Sequence, residues 1–307
     1  MLKSWKSCLI VALALTFILI TGSVIAYYAM LPDVDDGQAK GPKIKKTDND
    51  SAERKNSITD IILDHPLEEA ENRMDPILMI AKEGLKHIDE NVNDYSATIV
   101  KRERVDGKLL DEEFISCKIR NPKPDQKFSV YLRFIKPQRL AEQEAIYVDG
   151  KYGSKIIGHG GGLLKHAPAV KLDPKGRIAM INNRYPITEI GLRNLVARMV
   201  EKAEANREVP GVEVTIDRNI EFNGHSATLI VLKHPEKKQG LEFHLAKVYI
   251  DDELNMPVGY AAYLWPEKDG DEPPLLESYF YNDLKTNCGF KDIEFDPANP
   301  DYEYSNY

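Results

Sequence analysis

The stretch that decides the fold is Asp94-Tyr-Ser-Ala-Thr-Ile-Val-Lys-Arg-Glu-Arg-Val-Asp-Gly-Lys-Leu-Leu-Asp-Glu-Glu-Phe-Ile-Ser-Cys-Lys-Ile-Arg120. It reads as two β-rich runs, Asp94–Val105 and Leu109–Arg120, around Asp106-Gly107. That dipeptide accepts the positive φ angles of a tight hairpin turn. Cys117 alternates with Ile115 and Ile119, which gives the second run one buried face. Downstream, Asn121-Pro-Lys-Pro-Asp125 is a turn. Lys127–Lys136 follows with Phe128, Val130, Leu132 and Phe134 on one face and Ser129, Tyr131 and Arg133 on the other. A sheet with one dry and one wetter side is the expected result. Glu142–Val148 supplies a fourth strand.

Two helical patterns bracket these strands. Asp75-Pro76 reads as an N-cap followed by proline at the first helical position. Behind it Ile77, Ile80, Ala81, Gly84, Leu85 and Ile88 form a stripe at helical spacing. Thr188 is the expected cap of a second helix, whose stripe is Leu192, Leu195, Val196, Met199, Val200 and Ala203. Between the strands and this helix, Asp149–Ile187 holds seven glycines with Pro168, Pro174 and Pro186. It reads as one long loop, and loops of that length inside a domain are often functional. The C-terminal third returns to strands at Val212–Phe222, Ser226–Lys233, Phe243–Asp251, Pro257–Trp265 and Leu275–Asp283. An Asn223-Gly224 turn joins the first two. No β-α-β alternation occurs, so the class is α+β with an antiparallel sheet of about 9–11 strands and two main helices.

Upstream the composition changes abruptly. No charged side chain lies between Lys6 and Asp33. An apolar run of about 20 residues matches the hydrocarbon thickness of a bilayer. Lys3 and Lys6 precede the run and place the N-terminus inside. A cleavable signal peptide ending near Val24-Ile25-Ala26 competes with a retained anchor. The length of the run and the interfacial Tyr27 and Tyr28 favour the anchor. The expected organisation is therefore an anchor or signal segment over 1–31, a polar linker over 32–65 and an exported domain over 66–307. The expected place is the cytoplasmic membrane, single-pass, with the C-terminal domain extracytoplasmic (periplasmic).

The chain carries 41 basic and 49 acidic residues, net −8, with no basic block outside the linker. That excludes nucleic acid as a partner, because phosphate binding needs clustered cations. It also offers no reason for the domain to lie flat on anionic lipid. Cys117 and Cys288 are the only cysteines outside the apolar run. An oxidising compartment permits their pairing, which sequence alone leaves open.

Several motifs invite a catalytic reading. His159-Gly-Gly-Gly162 is like the oxyanion loop of lipases, and Gly224-His-Ser-Ala-Thr228 comes close to a nucleophile elbow. The chemistry would need Ser226 on a strand-to-helix turn in a parallel sheet, and here a hairpin turn leads into a strand. A hydrolase is accordingly the third-ranked function. His159, His166, His225, His234 and His244 lack metal-ligand spacing, although His234 and His244 flank a turn and are candidates for neighbours across a hairpin. No Walker or dinucleotide fingerprint is present, and no cofactor is expected.

The chain resembles a bacterial family known as a domain of unknown function, number 1571. The resemblance rests on Asp94-Tyr95, Lys101-Arg-Glu-Arg-Val-Asp-Gly107, Phe128-Ser-Val-Tyr-Leu-Arg-Phe134 with Pro137, and Ile146-Tyr-Val-Asp-Gly150. It continues through the His159-Gly-Gly segment and Asn183-Arg-Tyr-Pro-Ile-Thr-Glu-Ile-Gly191. It implies an exported bacterial protein without an assigned activity. Hairpin order and the ending Asn287-Cys-Gly-Phe-Lys-Asp-Ile-Glu-Phe-Asp296 are more distantly similar to lipoprotein carriers of the LolA/LolB type. That likeness implies a curved, open half-barrel closed by helices over an apolar cavity. Val130, Leu132 and Phe134 would then point inward, beneath a helix stripe of Ile77, Ile80, Leu85 and Ile88. The expected function is a non-catalytic, membrane-tethered protein that binds a lipid or other apolar ligand. The alternative is an envelope-sensing or interaction module with a protein partner.

Overall fold

The computed structural model describes residues 45–46 and 57–304, all within one compact unit. The apolar run over 8–30 lies outside the described residues. Among those described, no helix is long and apolar enough to cross a membrane.

Alternation at period two builds most of the molecule. The strands of the first half are β1 (Lys45–Lys46), β2 (Asp94–Val105), β3 (Lys108–Leu109), β4 (Glu113–Arg120), β5 (Ser129–Lys136), β6 (Glu144–Val148), β7 (Ile156–His159) and β8 (Val170–Leu172). Those of the second half are β9 (Glu213–Phe222), β10 (His225–Lys233), β11 (Leu245–Asp251), β12 (Met256–Tyr263) and β13 (Leu275–Thr286). They form one antiparallel sheet in the order β1-β9-β10-β11-β12-β13-β2-β4-β5-β6-β7-β8, with β3 beside β2. The sheet is open, since β1 and β8 stand at opposite ends. Its last strand, β13, lies in the middle and joins the two halves through β2.

The hairpin read from sequence is present, but its second run, expected over Leu109–Arg120, is divided into β3 and β4. Asp94 pairs with Arg120 and Lys101 with Glu113. Asp106 and Gly107 turn the chain at φ +49° and +82°, the positive values that a two-residue hairpin turn requires. The expected single loop over Asp149–Ile187 is corrected: it contains β7 and β8, which extend the sheet by two short strands.

Three helices accompany the sheet: α1 (Ile61–Asp64), α2 (Met74–Asn91) and α3 (Leu192–Asn206). Within the span read as linker, Ser57 caps a short 3-10 turn that leads into α1. Both expected caps need correction. Asp75 sits inside the first turn of α2, where its carboxylate takes the Arg207 guanidinium at 2.5 and 2.9 Å. Asn72 receives the Met74 amide instead, at 2.9 Å. Thr188 lies in a separate 3-10 turn, Ile187–Glu189. The chain then reverses at Gly191, φ +106°, and the first amide of α3 donates to the Tyr95 hydroxyl at 2.8 Å. A strand side chain therefore does what Thr188 was expected to do. A Cβ on Gly191 would come within 2.9 Å of that hydroxyl, so position 191 needs glycine for both φ and space.

Helices α2 and α3 cover one face of the sheet. There Leu85, Ile88, Val92, Leu192 and Val196 pack with Tyr95, Ala97, Ile99, Ile115, Cys117, Ile119, Val130 and Leu132. A neighbouring cluster joins Met74, Ile77, Ile80, Leu195 and Met199 to Ile230, Leu232, Ala246, Ile250, Tyr260 and Ala262. On the other face of β5–β7, Tyr131, Ile146, Val148 and Ile157 are covered by Phe295 and Tyr304 of the C-terminal segment. Tyr302 stacks on Tyr131 with centroids 3.9 Å apart. Cys117 is buried, Cys288 is exposed, and both are free thiols.

Candidate functional site

The seven residues expected to line a cavity fall on the helix-bearing face but not in one group. Leu85 and Ile88 from α2 meet Val130, Leu132 and Phe134 from β5 in the first cluster. Ile77 and Ile80, two turns earlier on α2, belong to the second. Ile88 and Val130 are fully buried, while Leu85 and Phe134 are half-buried at the margin. Cys117, on the same face, is pushed up to about 12 by burial. Its thiol stays protonated and behaves as a small apolar side chain.

Charge enters where the two clusters meet. Residues 95, 97 and 99 of β2 are apolar on the helix-bearing face, and alternation puts Lys101 and Glu103 on that same face. Both are buried. Lys101 bridges Glu113 at 3.0 Å and Glu103 at 3.6 Å, and donates to Asn183 Oδ1 at 2.7 Å. Glu103 stands directly across the ladder from buried Glu277, a like-charge arrangement that is unfavourable by itself. The segment over 183–185 neutralises it. The Arg184 amide donates to Glu103 at 3.1 Å, its Nε donates to Glu277 at 2.7 Å, and the Tyr185 hydroxyl donates to Glu277 at 3.0 Å. Tyr279 donates its hydroxyl to Glu103, and Arg198 of α3 lies 3.6 Å over the Tyr185 ring. Burial raises the pKa of Glu277, with Arg184 and Tyr185 opposing and Glu103 reinforcing the rise. Burial would lower Lys101, but Glu113 and Glu103 outweigh it and the net shift is upward.

This polar centre turns the segment over 173–190 into a strap across the sheet. Ala179, Ile187 and Ile190 pack on the first cluster, and Asn183, Arg184 and Tyr185 fasten it. Asn183–Gly191 and Lys101–Gly107, two separate stretches of the family resemblance, thus meet in one site. The available signal was parity: Lys101 and Glu103 continue the positions of Tyr95, Ala97 and Ile99.

The other motifs resolve into local structure. Ser226 lies on β10 and donates to Asp252 at 2.7 Å, so the strand-to-helix elbow that a hydrolase requires is absent there. His234 and His244 are neighbours, with His244 Nδ1 2.8 Å from the His234 carbonyl. Burial holds the His234 pKa low, with His244 and Lys238 adding to it. His159 is buried with Nε2 2.7 Å from the Lys165 carbonyl. Among the described residues no group of three or more His, Cys, Asp or Glu is placed to hold a metal.

Similarity searches place the chain in context. A comparison with curated proteins gave no match. Solved structures that match include a DUF1329 family protein from Desulfovibrio piger, at 10% identity and TM-score 0.35, covering 70% of this chain and 97% of that one. The MucA/MucB complex of Pseudomonas aeruginosa matches at 13% identity and TM-score 0.39, covering 70% and 60%. A LolA superfamily protein from Nitrosomonas europaea matches at 10% identity and TM-score 0.28, covering 70% and 97%. The family described as protein of unknown function (DUF1571) matches residues 92–304, which carry β2–β13, α3, the strap and the whole charged centre. The chain belongs to the DUF1571 family.

Proposed function

We propose that this protein is a non-catalytic, membrane-tethered extracytoplasmic module that binds a lipid or another apolar ligand under the strap. The observation that carries the reading is how the apolar face is closed. Leu85, Ile88, Val130, Leu132 and Phe134 belong to the cluster on which Ala179, Ile187 and Ile190 of the strap pack, and the strap is fastened by the Arg184–Glu277 ion pair and the Lys101–Asn183 hydrogen bond. Ionic fastenings can be exchanged without dismantling a hydrophobic core, so the strap can part from the sheet while the strands stay paired. Each methylene then buried from water contributes roughly 0.8 kcal/mol. The apolar run over 8–30 supplies the tether.

Protein-partner recognition is the second reading. It is favoured by the packing of Ile88 and Val130, both fully buried by the chain's own side chains. Native mass spectrometry of the detergent-extracted chain separates the two. Release of a bound lipid supports the first reading, and a lipid-free chain that captures an envelope protein supports the second. For topology, protease added to spheroplasts should degrade residues 66–307, and protection of that region in intact spheroplasts would contradict an extracytoplasmic domain.

A further inference from the structure

The outer side of the strap has its own character. From Gly160 to Asn183 the sequence contains Lys165, Lys171, Lys175 and Arg177 but a single acid, Asp173, in a chain of net charge −8. Asp173 is engaged by Lys155 at 2.8 Å. Lys171, Lys175 and Arg177 are exposed. Beside them stand two of the most exposed large apolar residues among those described, Ile178 at 60% and Ile181 at 48%. The Met180 amide bonds the Gly176 carbonyl at 3.0 Å, and the Ile181 amide reaches the Ile178 carbonyl at 3.4 Å. In such a helical turn, positions three apart share a side. Ile178 and Ile181 therefore face outward together, while Ala179 between them packs on the core.

The turn is held at both ends. Asp173 Oδ1 accepts the Lys175 amide at 3.0 Å, and Pro174 is buried. Asn183 donates to the Ala179 and Ile181 carbonyls at 3.2 and 3.0 Å while accepting from Lys101. The two isoleucines are thus presented to solvent by a pinned element.

We propose that Lys171–Asn183 is a membrane-docking element that seats on an anionic bilayer surface. Ile178 and Ile181 enter the boundary between headgroups and acyl chains, and Lys175, Arg177 and Lys171 face lipid phosphates. Apolar residues set among exposed cations are the composition that binds such an interface. Charge complementarity selects the occupant: an anionic leaflet attracts basic residues at its surface, about fivefold in affinity for each Lys or Arg. The proposal rests on the tethered reading, which keeps the domain within reach of a bilayer. It also gives that reading a geometry, because a docked strap brings the apolar face of the sheet beside the lipid.

Hydrogen exchange of the full chain tests it, in nanodiscs of phosphatidylcholine alone or mixed with phosphatidylglycerol. Amides of residues 176–182 should exchange more slowly in the phosphatidylglycerol discs than in neutral discs or detergent. High salt should remove the difference, and so should the double change Ile178→Ser with Ile181→Ser. Lys175→Gln with Arg177→Gln should weaken docking by about 25-fold, from fivefold per charge. Because these side chains are exposed, the variants should keep the parent's unfolding midpoint. Equal exchange in all three environments, with the chain retained in the discs, would overturn the docking element and leave the tether standing. A chain that enters neither disc would refute the tether, and phosphatidylglycerol vesicles added to it would then test the same amides. Protection that appears without lipid and rises with protein concentration would assign the patch to a second copy of the chain and overturn the proposal.

Discussion

Glu103 and Glu277, opposed across β2 and β13, are tolerable only because Arg184, Lys101 and two tyrosine hydroxyls converge on them. Removing one member of a buried ionic group leaves uncompensated charge, which costs about 3–5 kcal/mol. Arg184→Ala should lower the unfolding free energy by that order in denaturant titrations, and a change under 1 kcal/mol would show that the carboxylates are solvated some other way. Glu277 also makes a pH prediction. Its pKa in the folded protein is raised by burial above the ordinary carboxylate value of 4.5, so the folded state holds the proton more tightly than the unfolded state. The stability this contributes is fully present below about pH 4.5 and is lost as pH rises through the folded value. Glu277→Gln removes the titration, so the variant should gain stability relative to the parent as pH rises above 4.5. A difference that stays constant from pH 4 to 7 would contradict the assignment.

At the level of elements, strands were easier to read than helix ends. Period-two alternation gave Asp94–Val105 with its observed boundaries, because both faces of β2 carry side chains that declare their side. The two extra strands were hidden: β7 ends in Gly158-His159 and β8 has three residues, too short to show a period. Capping failed for a tertiary reason. Asn72 and Asp75 are both good caps by type; Asn72 receives the Met74 amide, while Asp75 lies inside the first turn and pairs with Arg207, far away in sequence. At α3 the cap is the Tyr95 hydroxyl, which no local pattern reveals. Tyr95→Phe should therefore cost about 1–3 kcal/mol, the loss expected when a buried amide is left unpaired. Thr188→Ala should stay within about 0.5 kcal/mol, as for a residue outside such features. Chemical denaturation of the two variants side by side checks this, and a larger loss at Thr188 than at Tyr95 would restore the local cap.

For the whole molecule, the antiparallel sheet and its helix-bearing face follow from alternation and turn chemistry. The candidate site followed less completely. Apolar parity placed Val130, Leu132 and Phe134 on the correct face, yet the charged centre between the clusters depends on which strands become neighbours, and β13 reaches β2 only through long-range pairing. The docking character of the strap was equally hidden, because its cations are spaced singly along the chain and alternation gave no sign that Ile178 and Ile181 beside them are exposed. The proposed function requires that the face beneath the strap receive an apolar ligand. Leu132 is buried there, and Leu132→Trp fills volume without adding charge. The most direct measurement is native mass spectrometry of the detergent-extracted parent and the Leu132→Trp variant, with their unfolding midpoints recorded in parallel. The expected result is a lipid-sized adduct on the parent, lost from a variant that stays folded. No adduct on the parent, together with a loss of about 1–3 kcal/mol from overpacking in the variant, would contradict it.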